Sequence, residues 1–332
     1  MNAQKGLAHL LFGKGERWAW ASALSYAVVN VMIRASAAHI DSMLGSLLRL
    51  LPVAVLAWFV LARSGAHELR PSDPKYLGAK PIAGLVFGGV VSYVVGNVFF
   101  FRAMVDGGLA ISVNSVQGGS VWAGLILGTL ILRERPRWQQ VAGAVVIAVG
   151  LSIIAASQLS NPGQLWYQGL LLAVCAGSCY AAANVFTRMV QRSRSALFPV
   201  LACSAAGGFV PLALIALGRM AFDPAGMLTG LRAYDVGVIL LAGVVNVLAL
   251  TGIAQAARHT SVATVNTIGS SAVAFSFLAS VIIFSEAVPP LMVLGVVAVI
   301  GGILFGQTGR RPAPAPAAPV AQAPAEAEDR PS

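Results

Sequence analysis

SYAVVNVMIR, residues 25–34, and CYAAANVFTR, residues 179–188, are identical at five of ten positions. Both set a tyrosine, an asparagine and an arginine at steps of four into otherwise apolar sequence: Tyr26, Asn30 and Arg34, then Tyr180, Asn184 and Arg188. In a helix, residues four apart drift by only about 40°, so each trio forms one polar stripe rising about 12 Å along the axis. A chain that writes the same stripe twice is using one unit twice.

The echo continues. AISVNSV (110–116) matches VATVNTI (262–268), and Glu134, Gly143 and Gly150 find Glu286, Gly295 and Gly302, all at an offset of 152. Each match alone is weak, but their order and near-constant offset argue for an internal duplication.

Composition says what solvent this unit was built for. Of 332 residues, 57% are hydrophobic and 10% charged, with a mean hydropathy of +0.79, against about 25% charged in a soluble domain. Predominantly apolar runs of about 20 residues, long enough to cross a hydrocarbon core about 30 Å thick, recur along the chain. The expected spans are Trp18–Ala38, Met43–Ala62, Pro81–Met104, Leu109–Leu132 and Trp138–Ala156, then Gln168–Val190, Leu197–Leu217, Tyr234–Ala257, Val262–Phe284 and Pro290–Gly306. The fold class expected is an all-α integral membrane protein of ten transmembrane helices.

The organisation expected is a short N-terminal segment (1–17), a five-helix repeat (18–156), a turn-rich linker (157–167), a second repeat (168–306) and a Pro/Ala-rich disordered tail (307–332). Five is odd, so the second repeat enters the bilayer from the opposite side. The halves are then inverted repeats, a symmetry that secondary transporters use for alternating access.

Placing both termini in the cytoplasm leaves 17 of the 22 basic residues inside, the bias that the positive-inside rule demands. The expected location is the inner (plasma) membrane. The net charge of +10 therefore reads as topology, and no nucleic-acid partner is expected. The implied partners are the bilayer and a small-molecule substrate, with a homodimer compatible. No cleavable signal peptide is apparent. Cys175, Cys179 and Cys203 lie within apolar runs and read as packing residues. No metal and no cofactor are expected.

Two features give these repeats a family likeness. The fourth span of each half runs to a glutamate, in LGTLILRERPRW (127–138) and SVIIFSEAVPPL (280–291), and a glycine-marked last helix follows, GAVVIAVGLSII (143–154) and GVVAVIGGILF (295–305). Over roughly residues 18–306 this resembles the EamA-type permeases of the drug/metabolite transporter superfamily. The resemblance implies an inner-membrane permease of metabolites or amino acids, often working in export. The glycine that commonly precedes the glutamate in that family is replaced here by Arg133 and Ser285.

Amides and phenols concentrate in the first, third and fourth helices of each repeat. The candidate cavity-lining set is Tyr26, Asn30, Tyr93, Asn97, Asn114, Gln117 and Trp122 in the first half, and Tyr180, Asn184, Asn246, Asn266 and Ser270 in the second. Each of these amides also suits helix–helix bonding, and Trp122 suits packing. Asn246 and Gln255 are nine apart and point opposite ways, so only Asn246 is taken. Arg34 and Arg188, near helix ends, read as snorkelling to headgroups, and Glu134 as a loop ion pair with its arginine neighbours.

No Asp or Glu falls deep inside an expected span, which disfavours a proton relay and leans the substrate towards neutral or zwitterionic solutes. No paired acids, histidine–metal set or nucleophile with a base is visible, so an enzyme is not expected. A membrane-embedded enzyme, a channel or an uptake permease of the same architecture stand as the alternatives.

Overall fold

The computed structural model describes residues 13–308 apart from 65, 75, 132, 134, 159–164, 192–196, 260–264, 266, 267 and 287. The described chain opens with helices α1 (Lys14–Ala37) and α2 (Ser42–Arg63). The Asp41 carboxylate accepts from the Met43 and Leu44 amides and so starts α2, satisfying donors that the first turn leaves orphaned. Helix α3 (Ala79–Gly89) passes through a π-helical segment, Val90–Gly96, into α4 (Asn97–Leu130). Then come α5 (Trp138–Ser157), α6 (Trp166–Gln191), α7 (Leu197–Phe222), the short α8 (Pro224–Leu228), α9 (Ala233–His259), α10 (Ser271–Ile282) and α11 (Pro290–Thr308).

The outer surface is greasy, as bilayer solvation requires. Ile282, Leu130 and Leu217 are 75%, 71% and 67% exposed, which in water would be an aggregation surface. Seven helical runs among the described residues are long and apolar enough to cross a membrane. One of them, Ala79–Leu130, holds 52 residues, about 78 Å if straight, and it does not stay straight. Gly108, at φ 72° and ψ 180°, breaks α4, and the Ser112 hydroxyl donates to the Ala103 carbonyl at 2.7 Å. Residues nine apart would be about 13 Å apart along an unbroken helix, so the chain turns back here. Two helices seen as shorter or more polar are explained locally. Helix α1 carries the Tyr26–Asn30–Arg34 stripe, and α10 has 12 residues and follows a stretch outside the description.

The helix pairs are drawn together at glycines. A β-carbon on Gly143 would meet the Gly302 carbonyl at 2.5 Å, and one on Gly150 the Gly295 carbonyl at 2.7 Å. Pairing 143 with 302 and 150 with 295 means that α5 and α11 run antiparallel. Between α4 and α6, Gly177 lies against the Val116 carbonyl and Gly119 against that of Val174. Without a hydrophobic drive in lipid, such backbone-to-backbone approach is what holds helices together.

The described residues leading to each glutamate, Ile131 and Arg133 in one case and Ile283 and Ser285 in the other, have matching backbone angles. Ile131 and Ile283 end their helices at φ −91°/ψ −48° and φ −92°/ψ −43°, with amides donating to Leu127 and Ala279. Arg133 and Ser285 then adopt φ 52° and 50°, the left-handed region that favours glycine. Non-glycine residues thus hold this turn geometry at both sites, at a cost of about 1 kcal/mol each.

Candidate substrate cavity

Call the end of the bundle that holds Lys14, Arg137 and Thr308 proximal, and the end that holds Ala37, Gly108 and Glu286 distal. A cavity of about 1160 Å³ runs inwards from the proximal end. It starts at Arg135, Pro136 and Arg137 and reaches Asn30, Arg49, Phe100 and Val113. Along α1 it follows Ala19, Ser22, Tyr26 and Asn30, steps of three and four that keep to one face over about 16 Å.

Of the sequence-derived candidates, Tyr26, Asn30, Gln117, Tyr180, Asn184 and Ser270 line this cavity. Asn30 also donates to the Ser276 hydroxyl of α10 at 3.1 Å, and Gln307 donates to the Ser270 hydroxyl at 3.1 Å. Asn97 stands one layer back, fully inside, where its carbonyl oxygen accepts from the Tyr180 hydroxyl at 2.7 Å. Tyr93 packs its ring on Gly208 of α7.

Three candidates sit elsewhere. Asn114 is buried and spends its amide on the Ala110 carbonyl of its own helix at 2.8 Å. Trp122 lines a separate shallow groove with Val145, Val149 and Ser152 of α5. Asn246 is buried away from the cavity lining. Asn266 lies outside the described residues.

The distal end is shut by charge. Arg34 Nε donates to Glu286 Oε1 at 3.0 Å and Arg34 Nη1 to the Met104 carbonyl at 2.9 Å. Glu286 in turn accepts from the backbone amides of Leu109 (2.8 Å) and Ala110 (3.1 Å). Those amides open the helix after the Gly108 break, where a carboxylate also meets the positive helix end. A β-carbon on Gly108 would lie 2.6 Å from Glu286 Oε1, so glycine is needed for space as well as for φ. Arg34 is therefore a clasp between α1, the Gly108 break and the turn after α10, not a snorkelling side chain. Arg219–Asp41 at 2.9 Å and Arg102–Asp106 at 3.0 Å add further pairs at this end.

Arg49 was missed. It belongs to α2 seven residues beyond its start, about 10 Å in, and faces the cavity. Counting charges by loop assigned it to an outer end, yet its place six residues inside the expected span Met43–Ala62 was the available signal. Among the described residues, no group of three or more His, Cys, Asp or Glu side chains could hold a metal ion.

A bundle with an apolar exterior, antiparallel glycine-packed helices and a partly polar cavity closed at one end is the architecture of a membrane transporter. The model of the EamA-like transporter family matches residues 13–156 and again 167–306, and the chain belongs to that family. It is similar to the uncharacterized transporter YdeK of Bacillus subtilis (strain 168), 31% identical over 91 residues, which is 27% of this chain and 31% of that protein. The matched stretch thus spans about a third of that relative. A solved crystal structure aligns over 88% of this chain and 95% of its own with a TM-score of 0.59 and 15% identity, a likeness of fold alone.

Proposed function

We propose that the protein exports small metabolites, amino-acid-like solutes among them, across the inner membrane by alternating access between two inverted five-helix repeats. The observation that carries this reading is the cavity itself: lined by Tyr26, Asn30 and Arg49 among apolar residues in its depth, open at the proximal end and clasped by Arg34–Glu286 at the other. By the positive-inside bias the open end is cytoplasmic, and this is an inward-open state with both termini inside.

Two symmetries support ten crossings in inverted halves. Under the 152-residue offset, Gly143 becomes Gly295 and Gly302 becomes Gly150, so the Gly143–Gly302 contact maps onto the Gly295–Gly150 contact. The paired turns at Ile131–Arg133 and Ile283–Ser285 match in the same way. The clasp has sequence counterparts in Arg188 and Glu134; Glu134 and the Arg188 side chain lie outside the described residues.

Export is tested by comparing metabolites in the medium of cells carrying empty vector, wild type or Asn30→Ala/Asn184→Ala at matched membrane levels. A solute that accumulates outside only with wild type is the expected result, with the double variant losing most of the flux. Wild-type-like flux from a well-expressed double variant would remove these asparagines from the path.

A further inference from the structure

Taking the transporter reading of the cavity as its basis, we propose that the cavity is an organic-anion site in which Arg49 takes the solute's carboxylate. The arginines at the distal end provide the contrast. Arg34, Arg102 and Arg219 each hold a carboxylate, at 3.0, 3.0 and 2.9 Å. Arg49 sits deeper than these and has no acidic partner among the described residues. Its partners are neutral: Nη1 reaches Asn97 Oδ1 at 3.5 Å, an oxygen that already accepts the Tyr180 hydroxyl at 2.7 Å, and the guanidinium also bonds the Tyr180 phenol oxygen. Its Nε is buried with no hydrogen-bond partner.

A guanidinium held inside a membrane protein is costly unless paired. It offers a planar fork of donors whose natural complement is a carboxylate, bound through two parallel hydrogen bonds. The surroundings favour that occupant. The described charged residues lining the cavity are Arg49, Arg135 and Arg137, and no described Asp or Glu lines it. Among the described residues, an anion entering at the proximal mouth thus meets Arg135 and Arg137 there and Arg49 at the end of its path, the charge sign that favours negative solutes. An ammonium group would meet no described carboxylate.

The groups beside Arg49 define the rest of the ligand. Tyr26, Asn30 and Tyr180 line the cavity together with Arg49, so phenol and amide groups share the wall with the guanidinium. Phe100 and Tyr180 meet edge to face with ring centroids 6.5 Å apart, and Val113 and Val273 complete an apolar wall. The fitting solute is a small carboxylic acid with an aromatic or branched aliphatic body. Arg49 is then the anchor, and the cavity discriminates by charge before shape.

The test uses the purified full-length protein in detergent at constant ionic strength, with three probes of one skeleton: phenylacetate, phenylacetamide and phenethylamine. Thermal midpoints are followed as each probe is titrated. Phenylacetate is expected to raise the midpoint saturably, while the amide and the amine do not. Arg49→Gln is expected to weaken phenylacetate roughly 10- to 100-fold, the scale of a lost charge-assisted bond. Asn97→Asp, nearly isosteric, puts a carboxylate beside Arg49 and is expected to weaken it similarly without removing the arginine.

Equal protection by the amide, better protection by the amine, no saturable shift with phenylacetate, or unaltered binding in both variants would overturn the anion site. Such results with wild-type export intact remove the anion site alone. Absence of wild-type export against the vector removes the transporter reading, whatever the probes bind.

Discussion

Glu286→Gln is expected to destabilise the protein by about 2 kcal/mol and to loosen the distal end. The carboxylate serves three groups at once: the Arg34 guanidinium and the amides of Leu109 and Ala110. Breaking a fully buried ion pair costs about 3–5 kcal/mol, because the survivor keeps an uncompensated charge. Here the side chains of Arg34 and Glu286 are 25% and 15% exposed, so solvent recovers part of that cost. Glutamine can still accept from one amide, whereas alanine loses the helix start as well, adding about 1 kcal/mol.

The revealing variant is the charge swap Arg34→Glu/Glu286→Arg. If the pair were only a pair, the swap would restore it. Because Leu109 and Ala110 need an acceptor at position 286, the swap is expected to unfold at least as easily as the single variant. Thermal unfolding in detergent, read for the variants in parallel, decides this; recovery of the wild-type midpoint by the swap would leave the capping contacts without weight.

Gly177→Ala carries the other large effect. A single added methyl on α6 would overlap the Val116 carbonyl and come within 2.8 Å of the Ser120 amide. Both obstacles are backbone, so no side chain can move aside. Overpacking costs about 1–3 kcal/mol, and this site belongs at the upper end. Val116 and Ser120 also line the cavity, so any relaxation that separates α4 from α6 reshapes the substrate path. The expected outcome is a low folded yield, with transport reduced in what folds. Gly301→Ala is the control. Nothing lies within 4 Å of that added carbon, and helix propensity alone favours alanine by about 1 kcal/mol. Equal behaviour of the two variants by size-exclusion profile and flux would sink the packing argument.

Much of the fold was legible because bilayer solvation writes long apolar runs, and because the duplication let one half vouch for the other. The offset of 152 that joins Glu134 to Glu286 also relates the two turns and the two glycine contacts. What stayed hidden was azimuth. In a soluble helix the apolar stripe marks the inside, but a helix in lipid is apolar towards both neighbours and solvent. Composition therefore did not say that Trp122 faces an outer groove or that Asn114 and Asn246 are buried off the cavity, while Tyr26 and Asn30 line it.

Long-range partners were equally invisible. Arg34 and Glu286 are 252 residues apart in sequence, and only the reversal at Gly108 brings the two amides to the same carboxylate. The π-helical segment Val90–Gly96, which sets the facing of Tyr93, has no sequence signature that was read. Arg49 was lost to a rule of thumb, since tallying basic residues by loop assumes that each one reaches water.

The central claim is that one cavity serves both sides of the membrane in turn. A single cysteine at Ser120, in a chain with Cys175, Cys179 and Cys203 replaced by alanine, tests it directly in oriented vesicles with a membrane-impermeant maleimide. The account predicts faster labelling from the cytoplasmic side in the resting protein, and a shift towards outer-side labelling at the expense of the cytoplasmic side when Glu286→Ala releases the distal clasp. A rise in outer-side labelling with no loss from the cytoplasmic side would mean an open pore and would contradict alternating access.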